Sequence, residues 1–240
     1  MSAKPPSGPR SVALVGPYLS GKTTLLESLL FVTEKIHRQG KVTDKSSVGD
    51  SSQESRERGM SVEVNVASTT FIDSQFTFID CPGSVEFGQE SADALVGVDS
   101  VVVVCEPEPD KAATLLPIFK LLDDLQLPRF IFVNKIDRAT CTVRDLLSSL
   151  QEASSLPLVL RQVPIRDGEQ ITGYVDLASE RSYNYKAGEP SSQVDIPSTM
   201  VDRKAEARFE MLEKLADFDD KLMEELLEEV NPPQEEVFGQ

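Results

Sequence analysis

The stretch Val12-Ala13-Leu14-Val15-Gly16-Pro17-Tyr18-Leu19-Ser20-Gly21-Lys22-Thr23-Thr24-Leu25-Leu26 decides the fold. It reads as an apolar strand running into a glycine-bounded loop and then into a helix, the context in which a phosphate-binding loop works. The spacing lets backbone N–H groups around Gly16, Ser20, Gly21 and Thr24 wrap nucleotide phosphates. It aims Lys22 at the beta and gamma phosphates and puts the Thr23 hydroxyl on magnesium.

Residues 23–31 continue as a helix with Leu25, Leu26, Leu29 and Leu30 at helical spacing. Residues 36–59 then turn polar and lose all apolar period, a length that marks a functional or disordered loop. Val62, Val64 and Val66 alternate with Glu63, Asn65 and Ala67. Residues 75–79 follow a turn at Asp73-Ser74, so the pair reads as a hairpin ending in Asp80-Cys81-Pro82-Gly83. Helical spacing resumes over residues 85–96, and the valine run at 100–105 has the texture of a strand buried on both faces. A helix over 111–125 carries Leu115, Leu116, Phe119, Leu122 and Leu125 on one side. Residues 129–133 read as another buried strand, ending in Asn134-Lys135-Ile136-Asp137, and 143–150 as one more helix. This alternation predicts a three-layer α/β domain, with three polar motifs at the strand ends where open sheets bind ligands.

Beyond a boundary near Leu156 the texture changes. Strands are expected at 158–165 and 171–177 around the Asp167-Gly168 turn, with a third at 182–185 and a polar connection at 190–197. Two helices follow, one burying Phe209, Leu212 and Leu215, the other Leu222, Met223, Leu226 and Leu227, with Asp217 or Asp219 capping the second. The expected organisation is a disordered segment at residues 1–10, a nucleotide-binding core at 11–156 and a small α+β subdomain at 157–240.

Composition narrows the function classes. The longest apolar run, near residues 101–105, is far below the roughly 18 residues of a membrane span, so a soluble, unexported chain is expected. Cys81, Cys105 and Cys141 are odd in number and form no close pair, which fits free thiols in a reducing cytoplasm. The net charge is −16, and residues 201–240 supply half of the excess, with thirteen Asp or Glu against five Lys or Arg. Such a surface repels nucleic acid backbones, so no autonomous nucleic-acid binding is expected of it.

The other two loops complete the chemistry. Asp80 at a strand end can hold magnesium through water, and Gly83 is free to turn its N–H towards a gamma phosphate. The Asp137 carboxylate can accept hydrogen bonds from the N1 and N2 donors of guanine, whereas adenine sets an acceptor against it. Unpaired buried polar groups make that choice worth a selectivity of roughly 10⁴ or more. Asn134 can tie this loop to the phosphate loop, and the Lys135 stem can cover the base face.

On these motifs the chain resembles, over nearly its whole length, the amino-terminal G domain of a translational GTPase of the elongation factor G type. Gln53-Glu54-Ser55-Arg56-Glu57-Arg58-Gly59-Met60-Ser61 resembles the family's first switch, with Ser61 at the place of the magnesium-ligating threonine. Residues 158–230 resemble the insertion that separates this type from the elongation factor Tu type. The resemblance implies GTP or GDP and magnesium as cofactors, Lys22, Gly83 and Ser84 at the hydrolytic step, and the ribosome as partner of the full-length protein. It also implies a Ser-Ala-Leu-like guanine loop, a last helix and further domains after residue 240, so the chain reads as a fragment. Three departures stand out: Ser84 replaces the second switch's histidine, Ser61 loses the threonine's β-branching, and Leu19 stands where the family often has Asp. His37 is the only histidine and precedes the first switch. Ser84 therefore keeps a rival reading open, a nucleotide-gated ribosome-binding module with little hydrolysis of its own.

Overall fold

A computed structural model describes residues 8–49, 52–168, 170–186, 190–228, 230 and 232–237. Most of the expected disorder at residues 1–10 lies outside them, but residue 10 already belongs to a strand. The chain divides into two compact units, Pro6–Cys141 with Glu152–Ser155, and Thr142–Gln151 with Leu156–Gln240.

The first unit is built on a five-stranded sheet: β1 (Arg10–Val15), β2 (Asn65–Phe71), β3 (Ser74–Asp80), β4 (Ser100–Cys105) and β5 (Arg129–Val133), in the order β2-β3-β1-β4-β5. β1 lies parallel between β3 and β4, and only β2 runs antiparallel. Connections pass through α1 (Lys22–Val32), α2 (Gln53–Arg58), α3 (Gly88–Leu95) and α4 (Leu116–Asp124). Leu14 and Phe78 pack with Leu26 and Leu30 of α1, while Ala13, Val101 and Val103 on the alternate positions are equally buried. Both faces of the central strands are therefore covered, as the continuous apolar runs require. Three strand ends, after β1, β3 and β5, then deliver the three polar loops to one edge.

Several details depart from the sequence reading. The hairpin turn is centred on Ile72 and Asp73, at φ +46° and +57°, rather than on Asp73-Ser74. A two-residue turn with both centres left-handed matches the twist of the flanking strands, and register rather than propensity puts a β-branched residue there. The helix expected over 111–125 is split into a 3-10 turn, Pro109–Leu115, and α4, because Pro117 in the first turn has no N–H to continue the earlier ladder. The polar segment 36–59 holds a short helix, α2, started by Ser52 accepting from the Ser55 N–H and closed by Gly59 at φ +64°. β5 is not a buried strand: it ends the sheet, and Phe130 is 70% exposed.

The second unit holds an antiparallel sheet of β6 (Gln162–Asp167), β7 (Gln170–Asp176), β8 (Arg181–Asn184) and β9 (Ser192–Val194). β9 falls in the stretch read as a plain connection. Along the chain, α5 (Val143–Ala153) precedes this sheet and α6 (Val201–Ala216), α7 (Asp220–Leu227) and α8 (Gln234–Val237) follow it. Val163, Val175 and Leu177 meet Met211, Leu212 and Leu222 in its core. Phe209, Met223 and Leu227, expected inside, are exposed, while Arg208 is buried and donates to the carbonyls of Leu177 and Ala178. The carbonyls past the end of β7 need donors, and a guanidinium supplies what an apolar residue cannot. Asp219, not Asp217, caps α7 by accepting from the Lys221 and Leu222 N–H groups.

The left-handed Ile72 is a removable strain. Replacing it by Asn, with Asp73 kept, is expected to raise unfolding stability by about 1 kcal/mol in denaturant titration, since Asn tolerates this conformation and Ile does not; an unchanged or lower midpoint contradicts it.

Candidate functional site

The site is assembled at the carboxyl ends of β1, β3 and β5. After β1 the chain must reverse into α1 within a short loop, and its backbone is left-handed at Leu19 (φ +62°) and Gly21 (φ +98°). Glycine is required at two of the loop positions, at Gly16 for space and at Gly21 for its left-handed φ. A Cβ on Gly16 would stand 2.1 Å from the Val104 carbonyl oxygen, and one on Gly21 2.2 Å from Asn134 Nδ2. Lys22 and Thr23 open α1 and are buried, Thr24 beside them is exposed, and Ser20 is only 1% exposed. The Ser20 hydroxyl has no hydrogen-bond partner among the described residues, a buried polar atom of the kind a bound ligand satisfies. The amino-terminal N–H groups of α1 point at the same place and favour an anion there.

Lys22 Nζ donates to the carbonyls of Gly16 and Pro17, both at 3.0 Å. Gly83 crosses directly over it: a Cβ there would lie 2.3 Å from Lys22 Nζ and under 3 Å from those same two carbonyls. Only glycine lets the segment after β3 approach the phosphate loop this closely. Ser84 follows in extended conformation at φ −79°, ψ 140°, and its hydroxyl caps nothing.

Three oxygen-bearing side chains meet beside Lys22. Thr23 Oγ1 donates to Asp80 Oδ2 at 2.7 Å and lies 3.2 Å from Ser61 Oγ. Asp80 is fully buried. Two hydroxyls bound side by side on an octahedral magnesium stand about 3.0 Å apart for metal–oxygen distances near 2.1 Å, so the donor set fits that ion in chemistry and spacing. Thr23 and Ser61 would hold it directly, with Asp80 behind.

At the third loop, Asn134 Nδ2 donates to the Ser20 carbonyl at 2.8 Å, and the Asn134 N–H reaches the Cys105 carbonyl at 2.8 Å. Lys135, left-handed at φ +55°, stretches its ammonium to the Leu19 carbonyl at 2.8 Å. The Asp137 carboxylate is 76% exposed, its nearest cation the Arg138 guanidinium at 4.0 Å. The structure thus brings Gly16, Ser20, Gly21, Lys22, Thr23, Ser61, Asp80, Gly83, Asn134 and Lys135 together. His37, by contrast, is exposed in the segment leading to α2.

Two carboxylates here have no place in the sequence motifs. Glu27 of α1 is 1% exposed and accepts from the backbone N–H groups of Gly40 (2.7 Å) and Val48. It ties the polar segment to the helix that carries Lys22 and Thr23, just before Gly49 packs on Thr23 Cγ2. The signal was a charge on the buried face of α1, three residues before Leu30 and four after Thr23. The second is Glu106, which accepts from Lys135.

Cys81 sits between Asp80 and Pro82 with no exposed surface. Burial, reinforced by the neighbouring Asp80 charge, pushes its thiol up to about 12, and burial with Glu106 does the same for Cys105. At pH 8 such thiols are thiolate to only roughly one part in 10⁴. Thiol titration of the native protein should therefore label Cys141 quickly, the one partly exposed cysteine, and Cys81 and Cys105 only on unfolding; rapid labelling of Cys81 contradicts the burial.

Residues 8–231 match the family described as the elongation factor Tu GTP binding domain. The chain is 49% identical over 228 residues to an elongation factor G-like protein of Synechocystis, covering 95% of this chain and 34% of that one. It therefore spans about a third of the length of that relative. Among solved structures it is similar to a protein of Thermus thermophilus, with a TM-score of 0.82 and 28% identity, over 92% of this chain and 33% of the other.

Proposed function

The chain belongs to the elongation factor Tu GTP-binding domain family and is a G domain of the elongation factor G-like type, and from that footing we propose that it binds magnesium with GTP and hydrolyses GTP as part of a ribosome-acting translation factor in the cytoplasm. The observation that carries this reading is the meeting of Lys22 Nζ, the three oxygens of Thr23, Ser61 and Asp80, and the close-packed Gly83 at one point beside the phosphate loop.

In this reading Lys22 and the N–H groups from Gly16 to Thr24 bind the phosphates and stabilise the charge that develops on them during transfer to water. Magnesium, held by Thr23 and Ser61 and by Asp80 through water, would neutralise phosphate charge. Gly83 offers its N–H to the gamma phosphate, so the segment after β3 reports which nucleotide is bound. Asn134 fixes the base loop on the phosphate loop, Lys135 covers the base, and Asp137, with its carboxylate open, accepts from guanine. The antiparallel sheet of β6 to β9 and the helices that follow it, from about residue 157, are the family's insertion subdomain.

Ser84 carries the second reading, a nucleotide-gated ribosome-binding module that turns GTP over slowly. A serine hydroxyl can hold a water but ends one bond beyond Cβ, and the lone histidine is exposed in another segment.

Two measurements on the full-length protein test these assignments. Asp137→Asn reverses the hydrogen-bond demand at the base and should shift preference from guanine to xanthine nucleotides in competition binding; retained guanine selectivity removes Asp137 from the site. Ser84→His should raise ribosome-stimulated phosphate release by ~10-fold or more if a missing proton acceptor limits the rate. If wild-type protein is already strongly stimulated by ribosomes, the binding-module reading fails.

A further inference from the structure

Glu106 stands immediately after β4, in the turn that leads to Pro109–Leu115, and its side chain is only 15% exposed. One carboxylate oxygen takes the Lys135 ammonium and the other takes Lys111 Nζ at 2.5 Å. Lys111 is half exposed and also reaches Glu108 at 2.9 Å. Lys135 is better covered, and its ammonium is shared between Glu106 and the Leu19 carbonyl. One carboxylate thus links the end of β4, the base loop and, through Lys135, the phosphate loop. Its hydrogen bonds to Lys111 and then to Lys135 hold its carboxyl below the ordinary glutamate range, so it is charged at neutral pH.

The lock acts on strained backbone. Leu19 and Lys135 are both non-glycine residues in the left-handed region, and they are the two ends of the Lys135-to-carbonyl bond. An unanchored lysine samples many rotamers, and a base that needs its stem flat must order it on binding. With the ammonium fixed at its far end, that ordering is complete before the nucleotide arrives.

We propose that Glu106 is a positioning residue for guanine nucleotide, acting by anchoring the Lys135 ammonium at the phosphate loop so that the Lys135 stem is set for the base. The inference rests on the guanine-nucleotide reading above and adds a residue to it. Because the lock lies at the base loop and touches neither Gly83 nor the Thr23, Ser61 and Asp80 cluster, it acts on GDP and GTP alike.

The experiment is dissociation of fluorescent GDP and of a fluorescent, non-hydrolysable GTP analogue from the intact protein. Glu106→Gln keeps size and removes charge, and should speed release of both by the same factor, on the order of tenfold for a partly covered charge-assisted pair. Lys111→Met, which removes only the exposed arm, should stay within about twofold. In a Lys135→Met background, Glu106→Gln should add nothing, because its route of action is gone. Unchanged release from Glu106→Gln, or an equal acceleration in the Lys135→Met background, overturns the proposal. So does a Glu106→Gln effect confined to the GTP analogue. A wild-type protein that holds no guanine nucleotide overturns this inference together with the function it rests on, whereas wild-type binding with unaltered Glu106→Gln release overturns this inference alone.

Discussion

The hydrogen bond from Thr23 Oγ1 to Asp80 Oδ2 is the contact on which the rest of the site depends. It joins the first turn of α1 to the end of β3, and Asp80 has no exposed surface at all. A buried carboxylate is tolerated only when its surroundings supply hydrogen bonds or cations, so this polar centre constrains everything packed around it. The parallel register of β1 with β3, which pairs Leu14 with Asp80, sets the two ends level. From there the phosphate loop can fold back over its own strand, and Cys81 can donate its N–H to the Leu14 carbonyl.

That constraint explains why the glycines are where they are. With Thr23 held against Asp80, the chain on either side is brought within contact distance of other backbone: Gly16 against Val104, Gly83 against Gly16 and Pro17. A methyl group at either position would meet a carbonyl oxygen. Two further carboxylates then extend the same scheme outward. Glu27 ties the polar segment before α2 to α1 through backbone N–H groups, and Glu106 ties the base loop to the end of β4. Two segments of the site are thus each held by one acidic side chain, Glu27 from within α1 and Glu106 from the residue that follows β4.

The sequence was informative wherever one residue type answers one local demand. The strand-loop-helix at residues 12–26, the valine run of β4 and the three loop motifs each have a reading that hardly depends on distant contacts. β4 and β5 fall on the expected residues, 100–105 and 129–133. What escaped was set by pairing and by neighbours. The Ile72-Asp73 turn follows from β2–β3 register, which no propensity for Ile predicts. Phe130 is exposed because β5 ends the sheet, and an apolar strand carries no mark of its place in the strand order. Burial of Arg208 in place of Phe209 depends on carbonyls left open after β7, some thirty residues earlier in the chain. Glu27 and Glu106 were hidden for a similar reason: their partners are backbone amides and lysines whose proximity exists only in the fold.

The departures from the family pattern fall unevenly over this architecture. Ser61 keeps the hydroxyl and keeps its place 3.2 Å from Thr23, so its loss of β-branching changes rigidity rather than chemistry. Leu19 contributes through its carbonyl, which any residue owns, and its side chain is 62% exposed. Binding therefore draws on groups that these two substitutions leave in place. Ser84 differs because the residue that the elongation factor G resemblance sets there acts through its side chain, and beside it Gly83 packs where a Cβ would stand under 3 Å from the Pro17 and Gly16 carbonyls. Ser84 is thus the departure on which the two readings of the chain divide, and His37, the chain's one histidine, lies exposed in the segment leading to α2.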